Sequence, residues 1–351
     1  MIIITYPPAE FRGTVRPPGD KSISHRAVII AALARGRSKI KGFLDSQDCQ
    51  ATVNCLKALG VNITREGELL VVEGREMGLD PPKRRLNAGN SGTTARLLLG
   101  VLAGQPFPTV LTGDRFLRRR PMERVVEPLR QMGAIIEGKG TGSVLPVTIK
   151  GAILKPLQYR LPVASAQVKS ALLLAGLYPT EGITIVEEPR PSRDHSEIML
   201  QQFGVRVETA GGRIAIAGGQ VPEATSLQVP GDISSAAFIM VAASIIPGAE
   251  VTLTGVGVNP TRRGIIDLLI EMGAAIEIKN LRNWGGEPVA DILVRGGRPL
   301  RGITVGGDII PKVIDELPVL TVAAAMAEGK TEIRDASELR VKESDRIAAL
   351  V

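Results

Sequence analysis

The chain has 351 residues, 44% of them apolar and 23% charged, a balance that fits a globular protein with an ample core and excludes a disordered or fibrous one. Its longest apolar runs, 236–246 and 317–327, are too short to span a membrane, and residues 1–15 lack the pattern of a secretory signal. A net charge of +7 suits an anionic partner, but aromatics at 3% leave few stacking platforms for nucleic acid, so small phosphorylated or carboxylated metabolites fit better.

In chain order, the first predicted element starts at Pro17-Pro18-Gly19-Asp20-Lys21-Ser22-Ile23-Ser24-His25-Arg26 and runs into the apolar segment 27–33. This reads as a loop opening a helix, where unpaired backbone N–H groups attract anions and Lys21, Ser22 and Arg26 add donors. Taken alone, the stretch is equally an ordinary capped helix. A turn at Gly36 leads into a strand. Cys49 and Cys55 follow; they form no C-x-x-C pair and suit a reducing, cytoplasmic setting. Next, Leu56-Lys57-Ala58-Leu59-Gly60-Val61 reads as a helix end, a glycine cap and a strand start. The same pattern returns around Gly133, Gly204 and Gly273, and the four glycines are 73, 71 and 69 residues apart. Four copies at near-constant spacing predict a tandem unit of roughly 70 residues.

A second marker keeps phase with the first. Gly19-Asp20-Lys21-Ser22, Gly89-Asn90-Ser91-Gly92, Ala164-Ser165-Ala166-Gln167 and Gly231-Asp232-Ile233-Ser234 each precede an Ala-rich apolar segment, and Ile314-Asp315-Glu316-Leu317 reads as a fifth. Segments 27–33, 97–103, 171–177, 236–243 and 319–327 are apolar nearly all round, which predicts buried helices. Repeated helix starts can converge on one cleft. Between these markers, Arg115-Phe116-Leu117-Arg118-Arg119-Arg120-Pro121 concentrates positive charge and holds Arg120 extended before a proline. Arg193-Asp194-His195 follows a Pro-rich turn; His195 and His25 are too few and too distant in sequence to suggest a histidine metal site. Arg340-Val341-Lys342-Glu343-Ser344-Asp345-Arg346, read by itself, is a solvated helix face with i,i+3 and i,i+4 pairs. No fifth Leu-x-x-x-Gly follows, so the chain is expected to end inside a unit, lacking a C-terminal portion.

Taken together, G-D-K-S-x-S-x-R, G-N-S-G-T-T-x-R, R-P-M, A-S-A-Q-V-K-S, S-R-D-H, G-D-I-S-S-A and R-V-K-E-S-D-R resemble, in order and across essentially the whole chain, the 5-enolpyruvylshikimate-3-phosphate synthases. The resemblance implies an α/β (α+β) fold, a two-domain inside-out barrel of repeated units with its last domain incomplete. The domains would be 19–230, and 1–18 with 231–351, with crossings near 14–20 and 228–234. It implies a metal-free, cofactor-free transfer of the enolpyruvyl group of phosphoenolpyruvate to the 5-hydroxyl of shikimate 3-phosphate, by addition and elimination. A monomer is expected, with no nucleic-acid or membrane partner.

The roles implied by the resemblance are these. Lys21 would touch both substrates. Ser22, Arg26, Ser165, Ala166, Gln167 and Arg193 would hold shikimate 3-phosphate, together with Asp315 and Lys342. Asn90, Gly92, Arg120, Gln167 and Arg346 would hold phosphoenolpyruvate. Asp315 would be the base on the 5-hydroxyl, bracketed by Lys342, and Glu343 the proton donor to the methylene carbon. Gly92 leaves room beside the phosphoenolpyruvate site, which implies glyphosate sensitivity. A later Gly-Asp-His-Arg motif and a late lysine of the family are absent, so weak transferase activity is expected. Two alternatives are a UDP-N-acetylglucosamine enolpyruvyl transferase, which would carry a cysteine near 115–120, and a non-catalytic anion-binding fragment.

Overall fold

The computed structural model describes residues 10–138 and 144–350. Residues 1–9 of the expected second domain, and Val351, lie outside the described residues. The helices are α1 (Lys21–Leu33), α2 (Gln47–Ala58), α3 (Gly92–Ala103), α4 (Glu123–Gln131), α5 (Ala166–Ala175), α6 (His195–Gln202), α7 (Ile233–Ile245), α8 (Gly264–Glu271), α9 (Ile310–Val313), α10 (Leu317–Ala325) and α11 (Arg346–Leu350).

Side-chain caps explain where most of the buried helices begin. Asp20, Ser91, Ser165 and Asp232 accept from the backbone N–H of Ile23, Thr94, Val168 and Ser234, so α1, α3, α5 and α7 each start at the predicted marker. The fifth start differs: Glu316 sits at the head of α10 without a side-chain cap, and Asp315 is free to face a cleft. At the other helix ends, Gly60, Gly133, Gly204 and Gly273 have φ of +86°, +102°, +78° and +98°. Those left-handed conformations suit glycine and account for its periodic recurrence.

Four four-stranded sheets share one plan, in which three strands of a unit are joined by a parallel strand from outside its hairpin. Strands Arg37–Lys41, Asn62–Glu66 and Leu69–Glu73 receive Ser226–Gln228, with Leu227 opposite Ile40. Conversely, Arg12–Val15 near the chain start joins the sheet of Glu250–Gly257, Glu287–Arg295 and Ala275–Trp284. The chain therefore crosses between its halves twice, once after Val15 and once after Gln228. The two crossing segments pair with each other where Gly19 bridges Gly231, Asp20 N–H donates to Pro230 O (2.8 Å) and Asp232 N–H donates to Pro18 O (2.8 Å).

Burial follows this division. One apolar cluster is drawn from residues between Ile23 and Val229, another from residues between Ile233 and Leu339. In the first, Leu97, Leu98 and Leu99 of α3 are all fully buried, so the helix is enclosed on every side. Each such leucine contributes about 1.5–3 kcal/mol of transfer free energy. Helices α3 and α5 approach so closely that a Cβ on Gly100 would lie 2.2 Å from Ala171 O, which explains the small residues in these segments. Among the described residues, no helix is long and apolar enough to cross a membrane.

One local expectation is corrected. Residues 340–346 do not form a single solvated helix face. A short 3-10 turn, Ser337–Val341, ends at Lys342, whose extended backbone precedes α11. The break turns Lys342, Glu343 and Arg346 toward the other half of the molecule.

Candidate functional site

The starts of α1, α3, α5, α7 and α10 converge on a cleft of about 820 Å³ between the two halves. Lys21, Ser22, Arg26, Asn90, Gly92, Arg120, Ser165, Ala166, Gln167, Arg193, Asp315, Lys342, Glu343 and Arg346 all line it. Every residue that the sequence singles out for the site is thus brought to one place, from motifs spread over more than 300 positions of the chain.

Two of the carboxylates on the wall built by the second half, Asp315 and Glu343, are each held by arginines. Asp315 pairs with Arg193 Nη2, with Arg346 Nη1 at 3.3 Å and with Lys342 Nζ at 3.6 Å. Burial opposes ionisation of Asp315, but Arg193, Lys342 and Arg262 outweigh it and hold the carboxyl well below its ordinary range. Glu343 receives Arg346 Nη2 at 2.7 Å and Arg120 Nη1 at 3.3 Å. Its partial burial is likewise outweighed, by a backbone hydrogen bond and by these two arginines, and its carboxyl lies below the usual range. Burial lowers the Lys342 ammonium, and Arg193 and Arg346 push it further down against the pull of Asp315.

The wall built by the first half is cationic. Arg96 Nη1 donates to Gln167 Oε1 at 2.8 Å and Gln167 Nε2 to Thr93 Oγ1 at 2.9 Å, which fixes the amide over the start of α3. Burial, then the neighbouring Arg120 and Arg124, push Arg96 down to about 10. Lys21 Nζ lies 3.2 Å from Asp48 Oδ2. Arg26 is 3% exposed, and its donors go to Ser196 Oγ (2.7 Å), Ser170 Oγ (2.7 Å) and Ser22 O (2.9 Å). It therefore braces the cleft floor as well as lining it. Arg193 Nη1 also reaches Ser22 Oγ at 3.5 Å.

Several residues of the site carry no sequence signal. Arg124 and Phe238 line the cleft beside the expected residues. Below it, buried Arg262 faces Asp232 (3.4 Å), Glu316 (3.6 Å) and Asp20 (3.9 Å), and donates to Ser234 Oγ at 2.6 Å. Its burial disfavours charge, but Glu316, Asp20 and Asp232 more than offset this and raise it above the ordinary arginine range. Only the repeat phase hints at this group, because Asp20, Asp232 and Glu316 occupy corresponding helix starts.

The profile of the EPSP synthase family (3-phosphoshikimate 1-carboxyvinyltransferase) matches residues 5–351. The chain belongs to the EPSP synthase family. The 3-phosphoshikimate 1-carboxyvinyltransferase of Geotalea daltonii is 55% identical over 352 residues, a match that covers 100% of this chain and 82% of the relative. That of Pelotomaculum thermopropionicum is 57% identical over 341 residues, covering 97% and 79%. Among solved structures, EPSP synthase from Acinetobacter baumannii superposes with a TM-score of 0.87 at 50% identity, covering 97% of this chain and 77% of that one. The fold is thus the two-domain inside-out α/β fold of that family. The enolpyruvyl transferase NikO from Streptomyces tendae shares the fold with a TM-score of 0.73 at 19% identity, covering 93% and 76%. The family comparisons lend no support to the expectation of weak activity.

Proposed function

We propose that the chain is an enzyme that transfers the enolpyruvyl group of phosphoenolpyruvate to the 5-hydroxyl of shikimate 3-phosphate, releasing phosphate, in aromatic amino acid biosynthesis. The observation that carries this reading is the pairing inside the cleft. Both carboxylates suited to proton transfer are held by arginines that suit substrate anions. Asp315 and Glu343 pair with the arginines that phosphate and carboxylate groups of the substrates would take.

This arrangement addresses a chemical difficulty. A carboxylate held well below its ordinary range is a poor proton acceptor, and one that stays ionised is no proton donor. When the phosphate of shikimate 3-phosphate engages Arg193, with Ser22, Ser165, Ala166 and Gln167 around the substrate, Asp315 loses its nearest cation and its proton affinity rises. When phosphoenolpyruvate engages Arg120 and Arg346, beside Asn90, Gly92 and Gln167, Glu343 is released in the same way and can take up a proton. Lys21 serves both substrates, and Lys342 stays beside Asp315. Addition then proceeds with the 5-hydroxyl proton passing to Asp315, the oxygen attacking C2 of phosphoenolpyruvate, and Glu343 protonating the methylene carbon. In elimination, the new methyl group returns a proton to Glu343, Asp315 gives its proton to the departing phosphate, and the C2–O bond to phosphate breaks, leaving the enol ether.

The domain boundaries that fit this reading are 19–230, and 1–18 with 231–351. The separate buried clusters and the paired crossing segments support them. The enzyme acts as a cytoplasmic monomer; the free, buried Cys49 and Cys55 suit a reducing compartment. The test is phosphate release with both substrates, with the enol ether product identified by NMR. Release that needs UDP-N-acetylglucosamine in place of shikimate 3-phosphate, or binding of shikimate 3-phosphate with no release, would favour one of the alternatives.

A further inference from the structure

The triplet Arg193-Asp194-His195 faces two ways. Arg193 turns into the cleft, where it meets Asp315 and Ser22. Asp194 and His195 turn away from it, and both are held by the other half of the molecule. Asp194 Oδ1 accepts from Asn259 Nδ2 at 2.7 Å and from Thr261 Oγ1 at 3.3 Å. His195 Nδ1 lies 2.6 Å from Glu287 Oε1, and the second oxygen of Glu287 accepts from Asn259 Nδ2 at 3.1 Å. His195, Asn259 and Glu287 are 2%, 2% and 4% exposed, so solvent does not compete for these bonds.

The backbone beside this network is fitted as closely. Gly285 and Gly286 form the tip of the hairpin between Ala275–Trp284 and Glu287–Arg295, and the tip presses on α6. A Cβ on Gly285 would lie 2.2 Å from Gln202 Nε2, and one on Gly286 would lie 2.6 Å from Ile198 Cγ2. The second half therefore grips the neighbours of Arg193 at a place separate from the crossing segments.

We infer that Asn259 and Glu287 are positioning residues for the shikimate 3-phosphate site: by fixing Asp194 and His195 from across the interface, they aim Arg193 at the substrate phosphate. The inference rests on the functional reading above. Neither residue lines the cleft, so their effect reaches it through the segment that carries Arg193.

The test uses the 351-residue chain, titrated calorimetrically with shikimate 3-phosphate. Asn259→Ala and Glu287→Ala are expected to raise the dissociation constant about tenfold, because a guanidinium displaced by even a fraction of an ångström loses its bidentate fit. Glu287→Gln keeps an oxygen for the His195 ring but loses the acceptor for Asn259 Nδ2, so its affinity should fall between those of the native chain and Glu287→Ala. In turnover, KM for shikimate 3-phosphate rises in the alanine variants while kcat and KM for phosphoenolpyruvate stay within about twofold, a split that general loosening would not produce. Asn259→Ser shortens the reach to Asp194 with little change in packing and serves if an alanine variant does not fold. A folded Asn259→Ala or Asn259→Ser variant with native affinity overturns the inference while leaving the functional reading intact. Failure of the unsubstituted chain to bind shikimate 3-phosphate overturns both.

Discussion

Asp315 is the residue whose surroundings say most about its work. Three cations converge on it, and its carboxyl is held well below the ordinary aspartate value of 3.8. A depressed folded value means that its ionisation stabilises the fold above about 3.8 and that this contribution is lost as the pH falls through the folded value. Asp315→Asn should therefore lower the urea midpoint near neutral pH, and the gap to the native chain should close in strong acid. The same variant should lose at least about 100-fold in phosphate release, the scale of a removed general base, while still binding shikimate 3-phosphate. Gly92 offers a separate test at this scale. Its φ is not in the left-handed region, and an added Cβ would lie 2.7 Å from Arg96 Nη1 and 2.8 Å from Arg120 Nη1. Those are the mobile ends of long side chains, so Gly92→Ala should leave the thermal midpoint nearly unchanged. Displacement of Arg120 should raise KM for phosphoenolpyruvate about tenfold and weaken glyphosate inhibition in parallel. Unchanged KM and inhibition in a folded variant would remove Gly92 and Arg120 from that site.

At the scale of elements, the recurring helix starts and glycine caps were legible because each depends on a few adjacent residues. Asp20, Ser91, Ser165 and Asp232 cap by local geometry, and Gly60 or Gly204 marks a backbone that turns left-handed wherever the repeat returns. The cleft residues were legible through motif resemblance, not from spacing alone. What stayed hidden depends on distance between elements. Residues 340–346 read as a charged helix face because nothing local shows that Glu343 meets Arg120. Arg262 gave no signal because its partners lie at the heads of α1, α7 and α10, far apart in sequence. Its place below three helix starts makes a sharp prediction. Arg262→Met keeps much of the volume but leaves Asp20, Asp232 and Glu316 buried without their shared cation, which should cost about 3–5 kcal/mol. Urea denaturation measures this directly, and a loss below about 1 kcal/mol would show that water or protonation neutralises the group without Arg262.

For the whole molecule, the two crossings of the chain decide how the halves can move. Arg12–Val15 and Ser226–Gln228 each complete a sheet of their own half, so the two crossing segments that follow them join the halves, beside the contacts of Asp194 and His195, while the cleft stays open to solvent. Rotation about the Gly19–Gly231 bridge changes the cleft without unpairing either sheet. Trp284, the only tryptophan, sits beside this axis. Its ring lies 5.9 Å from the guanidinium of Arg16, in the first crossing segment, and 5.3 Å from that of Arg282 on its own strand. Filling the cleft with shikimate 3-phosphate replaces the Arg193–Asp315 contact by a phosphate bridge between the walls and should draw the halves together. Arg16 and Arg282 both belong to the half that carries Trp284 and move with it, whereas Gln202 and Ile198 of α6, which face the adjoining hairpin tip at Gly285 and Gly286, move relative to it. Addition of shikimate 3-phosphate should accordingly shift the single-tryptophan emission saturably, with a midpoint matching the calorimetric dissociation constant. Arg16→Ala should leave both that shift and binding intact, because Arg16 belongs to the half that carries Trp284 and lies outside the cleft lining. Loss of the shift in Arg16→Ala would place the origin of the signal at the first crossing segment. No shift in the native chain at saturating ligand would mean that the halves bind this substrate without rotating about the crossing segments.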